Sequence, residues 1–390
     1  MALLGSTGSI GTQALDVVAA HPGRFEIVAL AAGATQPKRL AAQIARFRPA
    51  QVALPSHDAV RFLAAALAWA GVPSRDWPRL TGGAGAAAEV AAVGADVVLN
   101  AMPGAAGLEP TLAALEAGAT LALANKESLV AGGALVKAAL RRPDQIVPVD
   151  SEHSAIAQCL RAGRGAEVSR LILTASGGPF RGRSRAELAS VTPAQALAHP
   201  TWQMGELVTI NSATLVNKAL ELIEAHLLFD VPADRIEVTI HPQSIVHSMV
   251  EFVDGAVIAQ ASPPDMRLPI ALALAWPERL PGAVSPLGWT ASSAWTFEPV
   301  DAETFPALDL ARVAIAASPL HPAVLNAANE VAVAAFLAGR LPFPGIVDVV
   351  GATLADFTPA VFSGQTPTLP EVRAADAWAR DRARRMTEGV

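Results

Sequence analysis

The 390-residue sequence has a single cysteine, no excess of positive charge and no long hydrophobic run. One cysteine, Cys159, excludes a disulfide framework and a cysteine zinc site within one chain, which favours a reducing cytoplasm. A net charge of -6 argues against a nucleic-acid-binding protein, because such proteins present a basic surface. Apolar runs such as residues 270–276 fall far short of the ~20 residues that a membrane span needs, and the N-terminus lacks the basic region of a signal peptide. We therefore expect a cytoplasmic protein that binds neither membranes nor nucleic acids.

The pattern of apolar residues divides the chain into parts. Hydrophobic residues make up 52% of the sequence and charged residues 16%, so there are enough apolar side chains for a large core. Residues 1–149 alternate short strand-like runs with amphipathic helical stretches, which predicts a doubly wound parallel α/β sheet. Residues 150–276 mix strand-like runs with long helical patterns, which predicts a central α+β domain. The proline- and glycine-rich start of segment 277–306 indicates a linker, and residues 307–390 predict a C-terminal α-helical bundle.

Glycines recur at every third position in the turn that follows the first short strand, at Gly5, Gly8 and Gly11. A helical pattern begins at this turn. Glycine permits a tight turn and a close approach of the backbone to a pyrophosphate, which the N–H groups of a helix N-terminus bind. The placement favours an N-terminal Rossmann-like, dinucleotide-binding domain. Because the spacing differs from G-x-G-x-x-G, an ordinary glycine-rich turn is the alternative.

The residues after the second predicted strand indicate which dinucleotide binds. NAD-specific sites usually have an acidic residue about 20 residues after the glycine turn, where it contacts the ribose hydroxyls. Residues 31–39 contain no acidic residue, but they include Lys38 and Arg39. This composition favours NADP, because a carboxylate would repel its 2′-phosphate. The alternative for Lys38 and Arg39 is a solvated helix face.

Two acidic residues, Asp150 and Glu152, follow the apolar residues 146–149, and His153 is next to the second. In an extended segment, residues i and i+2 point the same way, so both carboxylates are expected to face one point. A hard divalent cation such as Mg²⁺ or Mn²⁺ would relieve their mutual repulsion. The alternative is an acidic cap for the helix that follows.

A polar stripe runs along the helical pattern of residues 209–229. Ser212 has the character of an N-cap, and Asn217, Lys218 and Glu221 follow at helical spacing, while apolar residues cover the other faces. A helix with so wide an apolar surface is expected to be buried, so the stripe faces either water or a site. Its amide, ammonium and carboxylate groups are suited to phosphate, hydroxyl groups and a third metal bond. The alternative is a solvated face with an ordinary Lys218–Glu221 pair.

Three further segments have polar or aromatic residues next to predicted strands or in loops. Ser176 lies in a Ser-Gly-Gly turn, which can offer a hydroxyl and backbone N–H groups to an anion. His199, Trp202 and Met204 lie in a loop between a proline and a glycine, where an aromatic residue often belongs to a lid. Lys126 follows a strand and is well placed for a substrate or metal-bound oxygen. The alternatives are a core-anchored loop for Trp202 and helix capping near Lys126.

Together these segments resemble the 1-deoxy-D-xylulose 5-phosphate reductoisomerase family through nearly the whole chain. The segments that carry the resemblance occur in family order: GSTGSIG, LANKESLV, PVDSEHSAI, ASGGPFR, HPTWQMG, INSATLVNKALELIEA, HPQSIVHSMVEF, PDMRLPI and LNAANEVAVAAFL. The resemblance implies a homodimer with an NADPH-binding domain, a catalytic domain and a helical bundle. It implies NADPH- and metal-dependent conversion (Mn²⁺, Mg²⁺ or Co²⁺) of 1-deoxy-D-xylulose 5-phosphate, a small phosphorylated sugar, to 2-C-methyl-D-erythritol 4-phosphate. That reaction belongs to the non-mevalonate, or methylerythritol phosphate, pathway of isoprenoid precursor synthesis.

The resemblance also implies roles for individual residues. The metal ligands would be Asp150, Glu152 and Glu221. The catalytic set would be these three residues with Lys126 and His153. The substrate would contact Lys126, Ser151, Glu152, Ser176, His199, Trp202, Met204, Ser212, Asn217, Lys218 and Glu221. The cofactor would contact Thr7, Gly8, Ser9, Ile10, Gly33, Ala34, Thr35, Asn125, Glu127 and Gly205.

The sequence departs from the family pattern near the expected ribose contact. Family members often have a basic residue and an asparagine at the positions where this chain has Ala34 and Thr35. The resemblance therefore leaves the direct contact to the 2′-phosphate open, with Lys38 and Arg39 as the possible replacements.

Two other functions remain as alternatives. Another NADP-dependent oxidoreductase, of the semialdehyde or homoserine dehydrogenase type, would have a similar glycine turn. The semialdehyde type needs a catalytic cysteine, and Cys159 is poorly placed on a helix face. A cofactor-binding regulatory protein without catalysis would have no need of three converging carboxylates.

Overall fold

The computed structural model describes residues 1–202, 204–359 and 366–388. The chain forms two compact units. The first comprises residues 1–128, 139–150 and 265–284, and the second comprises residues 129–138, 151–264 and 285–390. The division by function predicted from the sequence stays a prediction, because compactness alone does not assign a role to a unit.

The first unit contains a seven-stranded sheet in which every pair of neighbouring strands is parallel. The strands are β1 (Ala2–Leu4), β2 (Ala29–Ala31), β3 (Gln51–Leu54), β4 (Arg79–Gly82), β5 (Val97–Asn100), β6 (Thr120–Leu123) and β7 (Ile146–Pro148). Their order is β4-β3-β2-β1-β5-β6-β7, so the winding direction reverses between β1 and β5. Doubly wound sheets bind ligands at this kind of reversal. The predicted Rossmann-like sheet is confirmed.

Helices alternate with these strands, as the sequence predicts. They are α1 (Ser9–Ala20), α2 (Pro37–Phe47), α3 (His57–Trp69), α4 (Ala86–Ala91), α5 (Leu108–Glu116) and α6 (Lys126–Ala138). Pro37 occupies the start of α2, where its fixed φ suits the first helical turn. Leu3, Leu30 and Leu99 are fully buried in the centre of the sheet, as expected for strands covered on both faces.

The second unit contains a mixed five-stranded sheet. Its strands are β8 (Val168–Ala175), β9 (Ile236–Ile240), β10 (Val246–Phe252), β11 (Val257–Ala261) and β12 (Glu298–Pro299). Their order is β11-β10-β8-β9-β12. β8 and β9 are parallel, whereas β10 pairs antiparallel with both β8 and β11. A mixed sheet with helices fits the predicted α+β region.

The remaining helices follow the first sheet in the chain. They are α7 (Ser151–Cys159), α8 (Arg185–Leu188), α9 (Pro193–Ala196), α10 (Glu206–Ala213), α11 (Val216–Phe229), α12 (Arg267–Ala275), α13 (Ala307–Ala317), α14 (His321–Leu337), α15 (Gly345–Asp356) and α16 (Leu369–Thr387). The last four form the predicted helical region, in which α14 packs against α15 and α16. Across the part of the chain that the structure describes, no helix has both the length and the hydropathy needed to cross a membrane.

The structure differs from the sequence prediction at Asp150 and Glu152. β7 ends at Pro148 and α7 begins at Ser151, so Glu152 lies in the first turn of a helix. The expectation that both carboxylates project from one extended strand is therefore wrong. Short polar side chains at Asp150 and Ser151 favour a helix start, and this ends the extended segment early.

The helical pattern at residues 209–229 also forms two helices, α10 and α11. Leu215 lies between them in the left-handed conformation, with a φ of 59°. The Thr214 hydroxyl donates to a carbonyl oxygen of α10 at 3.1 Å and accepts from the first N–H of α11 at 3.4 Å. This side chain therefore competes with continuous helix at the break. Ser212 lies in the last turn of α10, so the prediction that it is an N-cap is wrong.

Candidate active site

The glycine turn joins β1 to α1, and two of its glycines shape it. Gly5 has a φ of 83°, and a Cβ at this position would lie 2.4 Å from the carbonyl oxygen of Ala101. A Cβ on Gly11 would lie 2.3 Å from the carbonyl oxygen of Gly5. Neither position has room for a side chain, so the turn brings α1 into close contact with the sheet.

The N-terminus of α1 offers a cradle for an anion. Gly8 is the N-cap residue and has no side chain to cap the helix. Gly8 and Ser9 are exposed, and Ile10 is half-buried. The first N–H groups of α1 therefore face an open surface, and the helix dipole favours negative charge there. The pyrophosphate of a dinucleotide fits this cradle, and Thr7, the fourth predicted cofactor residue of this turn, directly precedes Gly8.

The loop after β2 contains three of the predicted cofactor residues, Gly33, Ala34 and Thr35. All three are exposed. They bring no charge to the loop, and α2 has no acidic residue in its first turn. A phosphate on the ribose therefore meets no carboxylate from this loop or from the start of α2.

Lys38 and Arg39 both lie in the first turn of α2, but they face different neighbours. Lys38 Nζ lies 5.1 Å from the centre of the Trp69 ring on α3, a cation–π contact. Arg39 Nη1 donates to the carbonyl oxygen of Thr7 at 3.0 Å. Arg39 is therefore directed at the glycine turn, whereas Lys38 packs on the end of α3.

Asn125 connects two segments near the end of β6. Its Nδ2 donates to the Gly104 carbonyl oxygen and to Glu127, each at 3.0 Å, and its Oδ1 accepts from the backbone N–H of Ser128 at 3.1 Å. These bonds hold the loop after β5 against the start of α6. The predicted cofactor contacts of Asn125 and Glu127 stay predictions.

Lys126 and Asp150 form an ion pair in the first unit. Lys126 Nζ lies 2.5 Å from Asp150 Oδ2, and the two side chains are 11% and 13% exposed. The residues follow β6 and β7, which are neighbours in the sheet. The carboxyl edge of the sheet thus presents an ammonium and a carboxylate side by side, where α/β folds bind ligands.

Glu152 of α7 and Glu221 of α11 meet at Lys218. Lys218 Nζ donates to Glu152 Oε1 at 2.8 Å and also to Glu221 Oε2. The two carboxylates have oxygens within 4.8 Å of each other. Asn217 donates to the other oxygen of Glu221. Lys218 is only 3% exposed, so the polar stripe of α11 does not fit the solvated-face alternative.

The charges of this cluster favour a cation. Burial lowers the pKa of Lys218, but the adjacent carboxylates of Glu152 and Glu221 outweigh it and raise the pKa above the usual value. Mg²⁺ and Mn²⁺ prefer oxygen ligands such as the carboxylates of this cluster. Asp150 immediately precedes α7 in the chain, so a third carboxylate is two residues from Glu152. Within the second unit, the carboxylates of Glu152 and Glu221 are of a type and spacing that fit a divalent cation.

His153 connects α7 to α11 inside the second unit. Its Nε2 lies 2.9 Å from the carbonyl oxygen of Glu221. Its Nδ1 lies 3.0 Å from Glu224 Oε2, an ion-pair distance, although the geometry does not meet that of a hydrogen bond. Both side chains are fully buried. His153 therefore holds the backbone of a predicted metal ligand, which is a positioning role.

Ser176, His199 and Ser212 form a polar cluster in the second unit. His199 Nε2 lies 3.0 Å from Ser176 Oγ and 3.1 Å from Ser212 Oγ. Gly178 makes this approach possible, because a Cβ there would lie 3.0 Å from the carbonyl oxygen of Ser212. Three residues predicted from separate segments are thus brought together.

The hydrogen bonds of His199 define its tautomer. Its Nδ1 accepts from the backbone N–H groups of Thr201 at 3.1 Å and Trp202 at 2.9 Å. The proton of the neutral ring is therefore on Nε2, directed at the two serine hydroxyls. Partial burial lowers the pKa of His199, which favours this neutral form. Because the ring donates to the serine oxygens, the hydroxyl hydrogens can donate to an anion.

The predicted lid lies between α9 and α10. Trp202 and Met204 are half-buried, and the Trp202 ring packs edge-on against the His247 ring at 6.3 Å between centroids. Gly205 is exposed and is the N-cap residue of α10. Gln203, the residue between Trp202 and Met204 in the predicted lid, lies outside the described residues.

Two buried polar contacts in the second unit were not predicted from the sequence. Glu224 lies one helical turn after Glu221 and contacts His153. An acidic residue at this spacing on an otherwise apolar helix is the sequence feature that could have indicated this contact. Asn329 Nδ2 of α14 donates to Asn211 Oδ1 of α10 at 2.9 Å, next to Ser212. That pair joins segments far apart in the chain, and no local pattern reveals it.

Models of one protein family match three successive parts of the chain. Residues 1–133 match the family model for 1-deoxy-D-xylulose 5-phosphate reductoisomerase. Residues 146–229 match the model for its C-terminal domain, and residues 261–382 match a further model described as the DXP reductoisomerase C-terminal domain.

Curated relatives described as 1-deoxy-D-xylulose 5-phosphate reductoisomerases are similar over nearly their whole length. The 1-deoxy-D-xylulose 5-phosphate reductoisomerase of Beutenbergia cavernae is 65% identical over 384 residues, which are 98% of this chain and 96% of the relative. That of Kitasatospora griseola is 56% identical over 390 residues, the whole of both chains.

Solved structures extend the agreement to the fold. The Zymomonas mobilis enzyme in complex with NADPH is 42% identical with a TM-score of 0.90, covering 100% of this chain and 99% of that one. A DOX-P reductoisomerase in complex with NADPH, fosmidomycin and magnesium is 38% identical with a TM-score of 0.91, covering 99% and 98%. The resemblance inferred from the sequence motifs is thus confirmed, and the chain belongs to the 1-deoxy-D-xylulose 5-phosphate reductoisomerase family.

Proposed function

We propose that the chain converts 1-deoxy-D-xylulose 5-phosphate to 2-C-methyl-D-erythritol 4-phosphate with NADPH and a divalent cation, in the non-mevalonate pathway to isoprenoid precursors. The structural feature that best supports this function is the meeting of Glu152 and Glu221 at the buried ammonium of Lys218. Relatives bear the reductoisomerase name, and a similar solved structure is a complex with NADPH and magnesium. The chain is thus an NADP-dependent oxidoreductase that also isomerises its substrate.

One divalent cation, Mn²⁺, Mg²⁺ or Co²⁺, would be held by Asp150, Glu152 and Glu221. The cation supplies Lewis-acid stabilisation of negative charge on substrate oxygens. Lys218 supports this assignment, because its ammonium already compensates part of the charge of two of these carboxylates. A cation on the same oxygens would take over that compensation and leave Lys218 able to donate to the substrate.

Lys126 and His153 complete the proposed catalytic set. Lys126 pairs with Asp150, and an ammonium at the carboxyl edge of the sheet can also donate to a substrate oxygen. His153 bonds to the backbone of Glu221 and keeps that ligand in position.

The phosphate of the substrate would bind to Ser176 and Ser212. His199 donates to both hydroxyl oxygens, so their hydrogens can donate to a phosphate, which offers only acceptors. This anchor supplies binding energy away from the reacting carbons. The remaining polar contacts would come from Ser151, Asn217 and Lys218.

NADPH would supply the hydride for the reduction when it is bound. Residues 7–10 would bind its pyrophosphate and residues 33–35 would lie at the adenosine ribose, because they form the cradle and the loop after β2. Trp202 and Met204 would cover the substrate and exclude water. Further cofactor contacts would come from Asn125, Glu127 and Gly205.

We also propose a cytoplasmic homodimer. β11 lies at the edge of its sheet and exposes Val257 and Ile258, which are 45% and 39% exposed. An apolar edge strand favours pairing with a second copy of the chain. Light scattering of the purified protein tests this: the mass of two chains is expected, and a monomer at micromolar concentration would contradict the proposal. Val257→Lys should shift the mass toward one chain.

The test of the reaction follows NADPH absorbance with 1-deoxy-D-xylulose 5-phosphate, with Mg²⁺ or Mn²⁺, and again after chelation. Oxidation is expected only when substrate and cation are both present, with 2-C-methyl-D-erythritol 4-phosphate as the product by mass spectrometry and NMR. Oxidation that survives complete chelation would contradict the role of the cation. NADPH binding without turnover would contradict the reaction and favour the regulatory alternative.

The dehydrogenase alternative that needs a cysteine nucleophile is not favoured. Cys159 is buried, and burial raises the pKa of its thiol to about 11. A nucleophilic cysteine instead needs a lowered pKa and access to substrate.

A further inference from the structure

We infer that Arg39 binds the 2′-phosphate of NADPH and gives the chain its preference for NADPH over NADH. This inference rests on the proposed function, and it assigns one residue where the sequence left both Lys38 and Arg39 open. Three features support this assignment: the position of the guanidinium, the surroundings of Lys38 and the charge of the loop after β2.

Arg39 joins the two parts of the dinucleotide site within the first unit. It belongs to the first turn of α2, directly after the loop of residues 33–35. Its Nη1 donates at 3.0 Å to the carbonyl oxygen of Thr7, the residue before the N-cap of α1. In doubly wound folds the pyrophosphate lies at that N-cap and the ribose lies at the end of the second strand. The guanidinium is therefore between the two places that the adenosine half must contact.

The bond to Thr7 prepares Arg39 for an anion. The planar guanidinium has five N–H donors, and the contact with Thr7 uses one nitrogen to fix its orientation. The residue is exposed, so its outer edge is open to solvent and to ligands. An arginine fork of this kind suits the bidentate geometry of a phosphate.

Lys38 does not meet the same requirements. Its ammonium lies over the Trp69 ring at 5.1 Å, toward the end of α3 and not toward the glycine turn. The neutral side chains of Ala34 and Thr35 bring no positive charge to a phosphate. Since α2 also lacks an acidic residue in its first turn, Arg39 is the charged group that distinguishes a 2′-phosphate from a 2′-hydroxyl here.

The test measures the dissociation constants of NADPH and NADH by titration of the metal-loaded protein, without substrate. Arg39→Gln removes the charge, and Lys38→Gln is the matched control from the same helical turn. We expect Arg39→Gln to weaken the binding of NADPH about 10- to 100-fold, which is the scale of lost hydrogen bonds to a charged group. The dissociation constant of NADH should change little. We expect Lys38→Gln to leave both constants nearly unchanged. The same contrast is expected for 2′-phospho-ADP-ribose and ADP-ribose, which lack the nicotinamide. Arg39→Gln should weaken the binding of the first and change the binding of the second little.

The outcomes separate this inference from the proposed function. If the wild-type protein binds NADPH no better than NADH, the proposed cofactor is wrong whatever Arg39 does. If the wild type prefers NADPH and Arg39→Gln keeps that preference, the assignment of Arg39 is overturned. An equal loss of NADPH and NADH in Arg39→Gln would also overturn it, because it would indicate a damaged turn. Circular dichroism of the variants controls for folding. Arg39→Lys is a second control, because it restores the charge without the guanidinium fork and should recover part of the preference for NADPH.

Discussion

The ammonium of Lys218 donates to the carboxylate of Glu152 at 2.8 Å, between helices that begin 65 residues apart in the chain. Both the acid near the start of α7 and the lysine on α11 were expected at a site, but their contact is a product of the fold. Glu221 shares the same ammonium. The site thus depends on the packing of α7 against α11.

Glu221→Gln should lower kcat severely, by about 100-fold or more, because it removes one carboxylate of the proposed cation site while keeping the side-chain volume. The affinity for NADPH should stay near that of the wild type. Steady-state kinetics and NADPH titration check both. Asp234→Asn, an exposed acid of the same unit, is the control and should retain activity. Wild-type turnover in Glu221→Gln would remove this residue from the cation site.

Lys218→Met should raise KM for the phosphorylated substrate about 10-fold or more, because a charge-assisted donor is lost. kcat should change less than KM. Steady-state kinetics at saturating NADPH and Mg²⁺ measure the two constants separately. An unchanged KM would show that Lys218 compensates the carboxylates without contacting substrate.

The same Lys218→Met variant should lose stability when no cation is present. Removing the ammonium takes a buried positive charge away from Glu152 and Glu221, a cost of about 3 kcal/mol for a broken buried pair. Mg²⁺ or Mn²⁺ should restore more stability to the variant than to the wild type, since a cation takes the place of the ammonium. Urea unfolding with and without cation measures this difference. Equal stabilisation of both proteins by the cation would contradict it.

His199 should stay neutral in the folded protein at neutral pH. Partial burial lowers its pKa, while an unfolded histidine has a pKa of about 6.5. The unfolded state therefore binds more protons as the pH falls below that value, and the stabilising contribution of neutral His199 is full above it. That contribution is lost as the pH falls through the lowered folded pKa.

NMR titration of the His199 ring tests this direction, with His199→Gln to assign the resonance. Inorganic phosphate should raise the pKa of His199, because a nearby anion favours the charged ring. A folded-state pKa above the usual value without any anion would contradict the predicted neutral form.

Cys159 should be inert in the folded protein. Since burial raises the pKa of its thiol to about 11, almost no thiolate exists at pH 8 and alkylation should be slow. Iodoacetamide should modify the thiol only after unfolding in urea, as followed by mass spectrometry. Cys159→Ala should keep its turnover. A large loss of kcat in this variant, with folding intact, would favour the cysteine-dependent dehydrogenase.

Periodicity predicted most of the fold, because alternating strands and helices bury continuous apolar runs that the sequence displays. The alternation before residue 150 gives the parallel sheet, and glycine at positions 5 and 11 reflects close packing that excludes a Cβ. Local boundaries were harder to predict. α7 begins directly after Asp150, where short polar side chains favour a helix start. Thr214 ends one helix and starts another, because its side-chain hydrogen bonds override the apolar pattern.

The residue types of the site could be predicted from the sequence, but the contacts between their side chains could not. Sequence spacing selected Glu152, Lys218 and Glu221, and it offered a Lys218–Glu221 pair as one alternative, but it gave no reason for Lys218 to contact Glu152 as well. The buried pair of His153 and Glu224 joins α7 to α11, and such a pair depends on tertiary packing. Motif resemblance supplied the roles of these residues, and geometry supplied their contacts.

The proposed cation site is tested most directly by Mn²⁺ binding, measured by electron paramagnetic resonance without substrate. The wild type should bind one Mn²⁺ per chain. Asp150→Asn and Glu152→Gln should each weaken that binding about 10-fold or more, the scale expected for loss of a charged ligand. Wild-type affinity in both variants would contradict the assignment of these carboxylates as ligands.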